Sequence, residues 1–149
     1  MNNNEVISIL NGLVETCRRG QEVFRNAAEG IRNSEFRRLF NIFSQQRAQF
    51  ISELQGEIHR LGGDAGKTGS PTESWPDNTI PFPRSVNMTN LRDEAVAIAE
   101  CQREEETAVN DYQEALKADL PLDVQYVVKR QYMDIKDAYD RIRILQRAA

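Results

Sequence analysis

Apolar side chains return at alternating steps of four and three residues in four separate stretches of this chain. That spacing lines them up on one face of a helix with 3.6 residues per turn. In the first stretch Val6, Leu10, Leu13, Cys17, Gly20, Phe24, Ala27 and Ile31 form such a seam, as in helices that pack lengthwise. Asn4 is the expected N-cap, with Glu5 in the first turn, where the helix dipole favours a carboxylate. A second stretch follows Asn33-Ser34. Phe36, Leu39, Phe40, Phe43, Phe50, Leu54, Ile58 and Leu61 carry it, and Gly62-Gly63 closes it with a C-terminal glycine. Helices are predicted over about 4–31 and 34–61, and so short a connection makes them antiparallel neighbours.

From about residue 62 to 89 the pattern disappears, and Gly, Pro, Ser, Asn and Asp dominate. Pro71, Pro76, Pro81 and Pro83 forbid a helix through the middle. Such a connection is long for a compact domain, but it has a mechanical use. A helix over 34–61 is about 40 Å long, and an extended crossover at about 3.3 Å per residue retraces that distance easily. Trp75, Ile80 and Phe82 are its apolar residues, expected to fold back over the bundle or to meet a second copy.

Helical spacing resumes over about 90–117, capped by Asn90 and Asp93, with Leu91, Ala95, Ile98, Cys101, Ala108, Tyr112 and Ala115 on the seam. Leu120-Pro121 opens a fourth helix to about 146, through Val124, Val127, Val128, Ile135, Ala138, Ile142 and Leu145. Two hairpins joined by one long crossover is the ferritin-like arrangement of an all-α four-helix bundle. An up-down-up-down bundle needs only short loops. The 149 residues suit one domain with one core.

Composition narrows the function classes. At 40% hydrophobic and 28% charged the chain has the balance of a globular protein. The net charge of −4 argues against a dedicated nucleic-acid binder. Helix four does carry Lys129, Arg130, Lys136, Arg141, Arg143 and Arg147, but Asp123, Asp134, Asp137 and Asp140 are interspersed among them, as on a salt-laced surface. No apolar run approaches the roughly 20 residues of a membrane span, and Met1–Glu5 lacks the basic start of a secretory leader. Cys17 and Cys101 make neither a metal spacing nor a disulfide framework, so reduced, buried thiols in a cytoplasmic protein are expected. A homo-oligomer, a dimer first of all, is the expected assembly.

Candidate chemistry is confined to mid-helix. Each seam is interrupted there by polar residues: Gly20-Gln21, Gln46-Arg47, Glu105, and Gln131 with Asp134 on its flank. In an antiparallel bundle these are expected to converge on one layer. Di-metal bundles draw a Glu from each of two helices and Glu-x-x-His from the other two. Here the sole histidine, His59, follows Gly56 at that offset and points away from the seam. Glu105, Asp134, Gln21, Gln46 and Gln131 are therefore the candidate ligands for iron or manganese, with two carboxylates at most where hard cations want several. The competing and preferred reading is a polar layer. In it Glu105 pairs with Arg47 and accepts amide N–H groups from the glutamines, as a buried charge must.

Several stretches also carry a family resemblance. These are Ile9–Cys17 running on through Gly20–Glu29, then Gln46–Phe50 with Glu53-Leu54, and Arg60–Gly63. The second half adds Glu100-Cys101, Glu104-Glu105, Tyr112, Ala115-Leu116, Leu120-Pro121 and Tyr139–Ile142. Together they resemble an uncharacterised bacterial family of small four-helix-bundle proteins, a domain of unknown function in the ferritin-like superfamily. The resemblance implies a rubrerythrin- or ferritin-like bundle that is cytoplasmic and stress-associated, with no settled activity. Members often carry Glu where Gln21 and Gln46 stand and His where Tyr139 stands, so each difference removes a potential ligand. The leading expectation is a non-enzymatic structural or interaction protein with a degenerate metal centre. The alternative is an iron or manganese protein of redox or storage type.

Overall fold

The computed structural model describes residues 1–63 and 91–148. Four helices account for nearly all of them: α1 (Asn3–Gly30), α2 (Ser34–Arg60), α3 (Leu91–Leu116) and α4 (Leu122–Ala148). The caps explain where they begin and end. Asn2, rather than Asn4, caps α1. Its Oδ1 accepts the Glu5 N–H at 2.8 Å while Glu5 Oε1 accepts the Asn2 N–H at 2.9 Å, a reciprocal box that satisfies two otherwise orphaned donors. Asn33 caps α2 through the N–H groups of Glu35 and Phe36. The α2 C-terminus closes in a Schellman turn: the N–H of Gly62 donates to the His59 carbonyl and that of Gly63 to the Ile58 carbonyl. Gly62 has φ +92°, and a Cβ on Gly63 would sit 2.7 Å from Ile58 Cγ2, so both positions call for glycine.

Side-chain pairings fix the directions. Thr16 meets Asp111, and the Arg32 N–H meets Glu94, so α1 and α3 are antiparallel. Glu53 meets Arg130, and Arg60 meets Asp123, so α2 and α4 are antiparallel too. Gly63 therefore lies at one end of the bundle, near Ile7, while α3 starts at the other, near the α1–α2 turn. The two ends that residues 64–90 connect thus lie at opposite ends of the bundle. The connecting residues 64–90, with the Trp75, Ile80 and Phe82 contacts and the Asn90 cap predicted for them, lie outside the described residues.

The buried apolar residues divide into two clusters. One joins Val6, Leu10, Leu13, Leu54, Ile58, Tyr112 and Val124 near the C-terminal ends of α2 and α3; the other joins Phe24, Ile31, Phe40, Phe43, Ile98 and Ile142 near the α1–α2 turn. Each large side chain so buried contributes roughly 1.5–3 kcal/mol before conformational entropy is counted. In the second cluster Phe24, Phe40 and Phe43 pack with ring centroids 5.4–6.5 Å apart. Most predicted seam residues are in these clusters. Ala95 is instead exposed, with Ala97 facing inward, and Val127 is only half-buried.

Candidate functional site

Between the two clusters lies the one fully buried charge pair among the described residues. Arg47, from the middle of α2, and Glu105, from the middle of α3, are 1% and 0% exposed. They meet as a two-pronged pair: Arg47 Nη1 donates to Glu105 Oε1 at 2.8 Å and Nη2 donates to Oε2. The planar guanidinium matches both carboxylate oxygens at once, which a lysine could not do. Space for it comes from α1. Gly20 presents no side chain, and a Cβ there would lie 3.2 Å from Arg47 Nη1. The guanidinium carbon sits 5.2 Å from the Phe24 ring centroid and 6.0 Å from that of Phe50, so aromatic faces from both clusters flank the charge. Burial holds the Glu105 carboxyl above the usual carboxylate range, and the adjacent Arg47 guanidinium offsets only part of that rise.

A second polar chain lies one to two turns away. The Gln131 amide donates to Glu53 Oε1 at 2.8 Å and to the Phe50 carbonyl at 3.4 Å, which turns its oxygen toward Tyr112. The Tyr112 hydroxyl donates to that oxygen at 2.7 Å. With its one proton committed, the Tyr112 oxygen accepts from the Cys17 thiol 3.2 Å away. At the far end Arg130 holds Glu53 at 3.0 Å, so the chain runs from a buried thiol to a surface ion pair. Burial pushes the Cys17 thiol up to about 11, and it raises the Cys101 thiol and the Tyr112 phenol as well.

Of the residues the sequence singled out, Glu105 and Gln131 are fully buried, but no hydrogen bond joins them. The pairings of α2 with α4 put Gln131 level with Ser52 rather than Arg47, about 7 Å along the axis. Gln21 is half-buried, and its backbone carbonyl, not its amide, accepts a hydrogen bond from Ser44 at 3.1 Å. Gln46 is half-buried beside Arg47 in sequence, and its buried Oε1 has no hydrogen-bond partner among the described residues. Asp134 is exposed on the flank of α4 and does not enter the layer. The expected amide donation from the glutamines to Glu105 is therefore absent. Among the described residues the guanidinium alone donates to its two oxygens.

The sequence reading missed Glu53, Tyr112 and Cys17 as members of a polar chain. Tyr112 and Cys17 sit at regular seam positions, where an aromatic and a thiol read as apolar filling. Glu104, the neighbour of Glu105, is half-buried between α1 and α3, 3.6 Å from Arg19. His59 is exposed, as expected, and Tyr139 lies near the surface under the Arg143 guanidinium. The hollow between α1 and α3, lined by Val23, Glu100, Arg103, Glu104 and Thr107, is shallow and open to solvent.

The donor set does not suit a di-metal pair. No group of three or more His, Cys, Asp or Glu among the described residues is placed to hold a metal ion. The inward carboxylate, Glu105, already neutralises a fixed cation, and a divalent ion beside Arg47 would meet that positive charge at low dielectric.

Comparison with known proteins now places the chain. Residues 5–118 match the family described as a domain of unknown function, DUF2383. The chain belongs to this family. The DUF2383 match covers α1, α2 and α3 and ends just before α4. No curated protein matches. Among solved structures, the chain is similar to a two-domain protein of Anabaena variabilis ATCC 29413 containing DJ-1/ThiJ/PfpI-like and ferritin-like domains. The identity is 18% and the TM-score 0.77, over 99% of this chain and 37% of that one. The chain thus spans little more than a third of that protein's length. At this identity the likeness establishes the fold: this DUF2383 protein is an all-α, ferritin-like four-helix bundle. No helix among the described residues is long and apolar enough to cross a membrane.

Proposed function

We propose that this chain is a non-enzymatic helical protein, structural or interaction-mediating, in which an arginine–glutamate pair stands where a ferritin-like bundle would gather carboxylates around metal. The observation that carries this reading is the engagement of both Glu105 oxygens by the buried Arg47 guanidinium. A carboxylate so used has one lone pair on each oxygen tied to the guanidinium and its charge already balanced, so a metal would have to displace or sit beside a buried cation to use it. The buried polar groups then serve to fix helix register. The missing side chain at Gly20 leaves room for the guanidinium at this level, and Arg47 finds its counter-ion only if α2 and α3 are aligned as observed. A cytoplasmic setting with both thiols reduced and self-association into a homo-oligomer complete the reading.

Metal analysis of protein expressed with iron and manganese supplements and purified without chelator tests it, with Glu105→Ala alongside. The expected content is well below one ion per chain in both proteins. Stoichiometric iron or manganese that disappears in Glu105→Ala would overturn the proposal and revive a metal-dependent redox or storage role.

A further inference from the structure

The outer face of α4 carries large apolar residues that the bundle does not use. Leu122 is 82% exposed, Tyr126 69%, Met133 62% and Ile144 62%. They lie on a single stripe opposite the buried seam of Val124, Val128, Gln131, Ile135, Ala138 and Ile142. Filling in the exposed positions between them gives Leu122, Tyr126, Lys129, Met133, Asp137, Asp140 and Ile144, at steps of four, three, four, four, three and four residues. That is the spacing of a helix seam made to meet another helix. It is also a palindrome centred on Met133.

We infer that this stripe is the contact face for a second copy of the chain, the two α4 helices crossing antiparallel about a two-fold axis at Met133. In that arrangement each residue before Met133 faces the residue equally far beyond it on the other copy. Lys129 then faces Asp137, Tyr126 faces Asp140, and Leu122 faces Ile144, each twice by symmetry. Met133 meets its own copy at the axis, where its flexible thioether packs well. Just outside the stripe Asp123 faces Arg143. The one like-charged apposition is Arg130 with Lys136 at the margin, and Arg130 is already neutralised by Glu53 within its own chain. Asp137 contacts Arg141 on its own helix at 3.2 Å, with both side chains more than half exposed, so it stays available.

The alternative orientations fail on the same residues. A parallel pairing sets Lys129 against Lys129, Asp137 against Asp137 and Asp140 against Asp140, three like-charge contacts with none of opposite sign. A partner of different sequence has no reason to share the palindrome. The stripe is about 33 Å long and one helix wide, which places the interface at the small end of specific ones and the association in the micromolar range.

The surface deepens the reading of the chain as an interaction protein, yet the two fail separately. Metal content reports on the core, and the oligomeric state reports on α4. The test is sedimentation equilibrium of the full chain across micromolar to high-micromolar concentrations, with helicity checked by circular dichroism. Wild type is expected to pass from monomer to dimer. Lys129→Asp and Asp137→Lys are each expected to raise the dimer Kd by about tenfold or more, since each turns two attractive contacts repulsive. An equimolar mixture of the two variants has complementary faces and is expected to associate as a heterodimer, and the double variant is expected to recover dimerisation. A strictly monomeric wild type overturns the proposal and leaves the stripe to another protein or to solvent. So does a dimer indifferent to both charge reversals, or a mixture that fails to associate.

Discussion

Glu105 meets Arg47 with both carboxylate oxygens at the level where the apolar core of the bundle divides in two. Taking two charges out of water costs several kcal/mol per ion, and their attraction roughly balances that cost only while both are present. The pair therefore contributes more to alignment than to net stability.

Substitutions at this pair separate the two contributions. Glu105→Gln, which leaves the guanidinium buried without a counter-ion, is expected to destabilise the bundle by about 3–5 kcal/mol, and Arg47→Met by a similar amount. The double replacement Arg47→Met with Glu105→Leu is expected to recover most of the loss or to exceed wild type. Urea unfolding of the four proteins checks the cycle, and a double variant as unstable as the singles would show that the layer needs its charges for folding.

Gly20 supplies a test that reads the fit of the guanidinium. In an exposed helix interior Gly→Ala stabilises by about 0.5–1 kcal/mol. Here the added Cβ would press Arg47 Nη1 at 3.2 Å, and the hydrogen bonds to Glu105 prevent the side chain from swinging aside. Gly20→Ala is expected to destabilise wild type by about 1 kcal/mol but to stabilise the Arg47→Met, Glu105→Leu background, where the obstruction is gone. The change of sign, read from urea midpoints, is the diagnostic.

The buried thiols and phenol predict alkaline weakness. Burial places Cys17 near 11 in the folded chain against an ordinary 9.0, so between those values the folded chain keeps a proton that the unfolded chain has lost. The unfolded state then binds fewer protons, and stability falls as pH rises through the window. Cys101 and Tyr112 shift the same way and add to the slope. Urea midpoints are expected to drop from about pH 9 upward, and Cys17→Ala is expected to flatten the curve. At pH 8 the native Cys17 thiolate is about a hundredfold scarcer than at an unburied thiol, so labelling by a thiol reagent should wait on unfolding.

Glu94 ties the start of α3 to the α1–α2 turn by accepting the Arg32 N–H at 2.6 Å. Glu94→Ala is expected to cost about 1–3 kcal/mol through the unpaired donor it leaves. Hydrogen exchange at the Arg32 amide, protected in wild type and fast in the variant, measures that contact by itself.

The sequence by itself determined the four helices, their antiparallel hairpins and the need for a long crossover, because periodicity, caps and short loops are local properties of the chain. It also marked Glu105 as an inward carboxylate and Arg47 as its partner, since a charge in the middle of an apolar seam has nowhere else to go. Tertiary structure decided the axial alignment. Gln131 is near mid-helix by counting, yet α4 is staggered so that it lies beside Glu53 and Tyr112. Asp134 lies three residues further on and faces solvent. A helical wheel states which way a side chain points around its own axis, but not how far one helix slides along another. That distance is set by how Arg47 fits under Gly20 and how two unequal apolar clusters pack, which only the assembled bundle fixes.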